Sequence, residues 1–237
     1  MTTTVERVSS LTVTNALPED RALFIRRTYL HLAGAVAAFI VLEYLLLSSP
    51  FAPAMVQFIF GSRYMWLMIL GGFMLAGWLA RAMIAGAKTR SMQYAGLAVY
   101  IVAEAIIFIP RLYVAIYFSS PDVLPNAALI TAMLFAGLTV YALTTRKDFS
   151  FLGGILTIGG FVALGLIVAG VLFGFNLGLV FSGGMVLLAS GAILYDTSRI
   201  VRVYNTEDYV GASLQLFASV MLLFWYVLRI VMRVTDR

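Results

Sequence analysis

The stretch GAILYDTSRIV holds Asp196 near the end of an apolar run that is otherwise free of charge. A carboxylate in such surroundings needs a hydroxyl, a cation or a proton to offset its lost hydration. Two further sets of residues have types and spacings suited to meet it. In YIVAEAIIFIPRLY, Tyr100, Glu104 and Arg111 recur at helical spacing and so share one face, with Pro110 expected to kink their helix. Near the end of the chain, Gln215, Ser219, Leu222, Tyr226, Arg229 and Arg233 follow steps of four and three, a stripe that is polar except at Leu222. If the chain reverses near Asn205 to Asp208, Asp196 and Ser219 lie at comparable distances on either side of the turn and at similar depth in a helical hairpin. Two readings of Asp196 stay open. In one it faces the stripe; in the other it pairs with Arg199, three residues on, and marks a helix boundary. Glu104 and Arg111 likewise suit either a structural pair between helices or an ion pathway. Glu43, close to the end of its apolar run, reads as an interfacial, hydrated carboxylate.

The elements that must position these residues are set by composition. Hydrophobic residues make up 62% of the chain and charged ones 11%, with a mean hydropathy of +0.98. These values belong to an integral membrane protein, not to a soluble domain. Continuous apolar runs, each long enough to cross a bilayer as a helix, are expected at 28–47, 64–85, 92–118, 126–144, 151–173, 177–198 and 209–232. The fold class is therefore an all-α integral membrane protein of about seven transmembrane helices. SSPFAP, SSPDVLPN, TTRKDFS and YNTEDY carry the breakers between runs. Residues 1–25 read as a retained polar tail and 26–237 as the membrane domain, since no basic region leads into a short apolar core with a small-residue cleavage site.

Lys and Arg set the expected orientation. Arg7, Arg21, Arg26, Arg27, Arg81, Lys88, Arg90, Arg146, Lys147, Arg199 and Arg202 fall on one side; Arg63, Arg111, Arg229, Arg233 and Arg237 fall on the other. The imbalance predicts a cytoplasmic N-terminus and, with seven crossings, an external C-terminus. The late arginines oppose this, and a last segment that enters and returns, or that lies partly in the interface, would remove the conflict. The net charge of +5 is thus a topology signal and gives no reason to expect nucleic acid.

Several chemistries lack material. His31 is the sole histidine, so Ser-His dyads and HExxH metal sites are excluded; it reads as an interfacial polar residue of the first helix. Lys88 and Lys147 are the only lysines and lie in connections, leaving none for a retinal Schiff base. Without cysteine there are no disulfides or thiolate metal sites. The Gly-rich LGGILTIGGFVALG lies inside a span and reads as helix packing, not as a nucleotide loop. No enzyme activity and no cofactor are expected.

The segments TTRKDFSFLGGIL, GAILYDTSRIV and GASLQLFASVMLLFWYVLRI resemble the Bax inhibitor-1 family, and AEAIIFIP is similar to its bacterial YccA-like branch. The resemblance implies six helices around a central C-terminal one. It also implies either modulation of a membrane-bound AAA protease of the FtsH type or a pH-sensitive calcium or proton leak. In leak-type members two aspartates on the last two helices share a proton. Asp196 matches the first, and is then a candidate for transient calcium contact. The second position holds Ser219. The remaining candidates for an ion path or pH response are Glu104, Arg111, Gln215, Tyr226, Arg229 and Arg199. A bacterial cytoplasmic (inner) membrane location, with lipid, a protease and calcium ions as candidate partners, is the corresponding expectation.

Overall fold

The computed structural model describes residues 12–87, 89–145 and 147–235, with only the backbone at Arg63. The expected basic residues Arg7, Lys88, Arg146 and Arg237, and the side chain of Arg63, lie outside what is described. Eight helices follow in order: α1 (Pro18–Leu47), α2 (Phe51–Phe60), α3 (Arg63–Ala85), α4 (Arg90–Tyr117), α5 (Val123–Thr144), α6 (Leu152–Phe173), α7 (Gly178–Arg202) and α8 (Tyr209–Thr235). All except α2 are long and apolar enough to cross a membrane.

Local sequence explains where these helices begin. Pro18 opens α1 in its first turn with Glu19 and Asp20 beside it, a proline and acidic pattern suited to a helix N-terminus. That start lies well before the residue 28 expected from hydropathy. The hydroxyls of Ser62 and Thr89 cap α3 and α4 by accepting from the amides of Tyr64 and Met92. The short α2 was expected to be a mere connection; Pro50 precedes it and Pro53 sits in its first turn, where a missing donor costs nothing. Gly174 closes α6 with a left-handed φ of 75°. Helix α4 continues through Pro110.

Two helices occupy the interior. In their most apolar windows, α4 is 56% buried and α8 50%, against 6% for α6. Helix α8 packs against α1, α3, α4, α5 and α7, while α6 rests on α7 and touches α3. The centre is aromatic: Phe108 of α4 meets Phe39 of α1 at 5.3 Å and Trp225 of α8 at 4.9 Å between ring centroids, both edge to face. The α3–α4 seam is close because Gly96 has no Cβ; one added there would lie 2.8 Å from the Ala80 carbonyl oxygen. Helix α8 is one continuous element of 27 residues, so the last segment does not enter and return.

Candidate functional site

The hairpin of α7 and α8 brings Asp196 and Ser219 together. The Ser219 hydroxyl donates to a carboxylate oxygen of Asp196 at 2.6 Å, and both residues are buried. A bond of this length ties the two helices at one point and gives the buried carboxyl a partner. Arg199 does not form an ion pair with Asp196: its guanidinium lies 5.5 Å from the Tyr195 ring centroid and 5.3 Å from that of Tyr204. The boundary pair allowed by the spacing is therefore not adopted. Ser198, two residues after Asp196 on α7, accepts from the amide of Phe149 and so anchors the α5–α6 connection.

On the far side of Ser219 lies a cavity of about 990 Å³ between α3, α4, α6, α7 and α8. Glu104, Arg111, Gln215, Ser219, Tyr226 and Arg229 all line it, whereas Asp196 and Arg199 do not. The stripe on α8 and the face on α4 meet at this cavity, a meeting that helical period alone does not fix, and Arg233 is left exposed at the helix end. Glu104 and Arg111 are not partners. Tyr100 offers its hydroxyl to the Glu104 carboxylate one turn away, with Arg81 beside that hydroxyl. The Arg111 guanidinium lies 4.3 Å from the Trp225 ring centroid, Trp225 in turn stacking on Trp66 at 5.8 Å. The Nε of Arg111 has no hydrogen-bond partner among the described residues, and the nearby charge is that of Arg229. A second cavity of about 330 Å³, lined by Tyr204 and Asp208, shares Arg81 and Gln215 with the first.

Three features escaped the sequence reading. Glu43 is 4% exposed and both its carboxylate oxygens lack a partner among the described residues, so it is buried in α1 and not hydrated. Hydropathy placed it near a helix end, but the packing of α1 against α2 and α4 covers that end. Arg81 and Trp66 reach the cavity from α3, where no polar stripe announces them. Finally, the middle of α1 is clamped to the N-terminal ends of α4 and α8. His31 pairs through one ring nitrogen with the Tyr94 hydroxyl at 2.8 Å, and Arg90 binds Glu207 while lying over the Tyr209 ring.

The same end of the bundle gathers other connections. Val13 donates its amide to the Tyr204 carbonyl, and Arg202 donates to the Lys147 carbonyl. Asp148 accepts from the Ser150 hydroxyl and amide, which holds its carboxyl below the ordinary value. Burial pushes the Tyr204 hydroxyl up to about 12. The segments before α1, between α5 and α6, and between α7 and α8 therefore share one face, as the basic residues predicted.

A polytopic helical membrane protein with a polar interior is what the fold and site define. A family model described as "Inhibitor of apoptosis-promoting Bax1" matches residues 21–236, and the chain belongs to the Bax inhibitor-1 family. Among curated proteins it is 42% identical over 110 residues to an uncharacterized Pseudomonas aeruginosa protein, covering 46% of this chain and 49% of the relative. It is 40% identical over 104 residues to the Escherichia coli protein named modulator of FtsH protease YccA, covering 44% and 47%. To the Arabidopsis thaliana protein LIFEGUARD 1 it is 34% identical over 115 residues, covering 45% and 47%. The chain spans about half the length of the curated relatives it matches.

Proposed function

We propose that the chain modulates a membrane-bound AAA protease of the FtsH type in a bacterial cytoplasmic membrane, with its N-terminus cytoplasmic. The relative named as a modulator of FtsH protease supports the class of partner. The observation that carries the reading is the Asp196–Ser219 bond. A shared-proton gate needs two carboxylates at this point, and here one of them is a hydroxyl that satisfies the other without taking a charge. Asp196 then serves to join α7 to α8. The protease contact falls to the face that carries the Lys147–Ser150 connection, which Ser198 and Arg202 hold against α7. Co-purification from detergent tests this. Asp196→Asn should retain the protease, and Lys147→Ala with Asp148→Asn should lose it; the opposite pattern refutes the reading.

A second reading, a calcium or proton leak, is favoured by the two cavities that share Arg81 and Gln215 and reach Glu104 from one face. Calcium and proton flux into liposomes, followed between about pH 6 and 8, discriminates the two. Flux abolished by Glu104→Gln would establish the leak.

A further inference from the structure

Two positive charges sit at one end of the large cavity without a counter-charge. Arg111 and Arg229 both line it and are near enough to repel one another, and no acidic side chain among the described residues pairs with either. Trp225 covers one face of the Arg111 guanidinium and its Nε meets no acceptor. Two half-dehydrated guanidiniums in contact with a low-dielectric interior are unfavourable unless an anion completes them.

Their position limits what that anion is. Arg111 precedes the end of α4 at Tyr117 by the same number of residues as Arg229 precedes the end of α8 at Thr235. At about 1.5 Å per residue, both lie roughly 9 Å inside their helix ends, the depth of a headgroup boundary. Gly174 and Asn176, from the turn between α6 and α7, line the cavity at the same end. Facing the arginines and running inward from them, the wall formed by Phe161, Leu164, Ile167 and Val171 of α6 is apolar, while Arg81, Glu104, Gln215 and Ser219 line the opposite end. Phe161 and Met74 line the cavity and are also exposed on the outer surface, so the space opens sideways between α3 and α6. A free anion would use the arginines and leave this long apolar wall empty.

We propose that the cavity binds one anionic phospholipid, its phosphate held in the forks of Arg111 and Arg229 and an acyl chain lying along α6. Guanidinium forks match phosphate oxygens two by two, and the apolar face of α6, open sideways beside Phe161 and Met74, accepts a chain. The site does not depend on protease modulation or on leak.

Native mass spectrometry of the delipidated full chain in detergent tests the assignment. Phosphatidylglycerol, diacylglycerol and inorganic phosphate are added separately. The expected result is one tightly held phosphatidylglycerol, with diacylglycerol and inorganic phosphate both retained far less. Arg111→Gln and Arg229→Gln should each weaken the lipid by about tenfold, the loss of a hydrogen-bonded charge. Arg26→Gln, exposed on α1 at the opposite end, should leave it unchanged. Arg111→Lys and Arg229→Lys keep the charge and lose the fork, so each should weaken the lipid less than the matching Gln change, which separates loss of charge from loss of fold. Equal retention of diacylglycerol overturns the proposal, as does phosphate binding as tightly as the lipid. Undiminished lipid binding in the doubly substituted Arg111→Gln, Arg229→Gln chain overturns it as well.

Discussion

Ser219 and Arg111 are both polar side chains in the bundle interior, but they differ in what meets them. Ser219 faces Asp196 at 2.6 Å across the α7–α8 seam, and donor and acceptor complete each other. Arg111 faces an open cavity, rests on an aromatic ring and has a second cation for its neighbour. Inside a membrane protein an unmet polar group is costly, so a completed pair stabilises the fold while an incomplete one marks a place where something else binds. Ser219 stands at the border, since it also lines the cavity.

Packing offers the sharpest way to break this contrast. Gly96→Leu drives a side chain into the Ala80 carbonyl at 2.8 Å and the Ile84 side chain at 2.9 Å, and should cost about 3 kcal/mol in detergent melting. Gly160→Leu points into the cavity, where a Cβ meets nothing within 4 Å, and should leave the melting temperature nearly unchanged. Similar losses from both would mean that the cavity is not open. Next in size is Ser219→Ala, which removes the donor to a buried carboxylate and should cost about 1–2 kcal/mol. A thermodynamic cycle with Asp196→Asn should then show coupling between the two sites. Strict additivity would deny that the bond stabilises the hairpin.

Arg111→Gln in delipidated protein should change stability by less than about 1 kcal/mol, since the lost contact with Trp225 is offset by relief of repulsion from Arg229. A large loss there would make Arg111 a structural partner like Ser219. The smallest effect belongs to Asp148, whose folded value is lowered from 3.8 by Ser150. A lowered carboxyl stabilises above its unfolded value and loses that contribution as pH falls through its folded value. Melting of Asp148→Ala should therefore differ slightly from the parent near neutral pH and converge with it in acid; a difference that grows in acid would reverse the assignment.

Much of this arrangement was legible in sequence, and the residues show why. Asp196 and Ser219 could be set opposite one another because a short turn fixes the register of a helical hairpin. The faces of α4 and α8 could be read because helical period alone brings Glu104 and Arg111 to one side of α4, and Gln215 and Tyr226 to one side of α8. What could not be read depends on how helices pack. Glu43 looks interfacial by position, and only the neighbours of α1 bury it. Arg81 and Trp66 acquire their place from the crossing of α3 with α4 and α8. The early start of α1 was present in Pro18, Glu19 and Asp20, but hydropathy averaged over a window passes over such polar first turns. Arg199 was offered Asp196 by spacing and lies over the rings of Tyr195 and Tyr204 instead, while Ser219 donates to the carboxylate.

Degradation of a membrane substrate by a reconstituted FtsH-type protease, with and without this chain in the same liposomes, tests the central claim most directly. The account predicts that adding the chain changes the degradation rate, and that Asp196→Asn, provided it remains folded, changes it equally. An unaltered rate with the parent chain, or an effect that vanishes in folded Asp196→Asn, would contradict it.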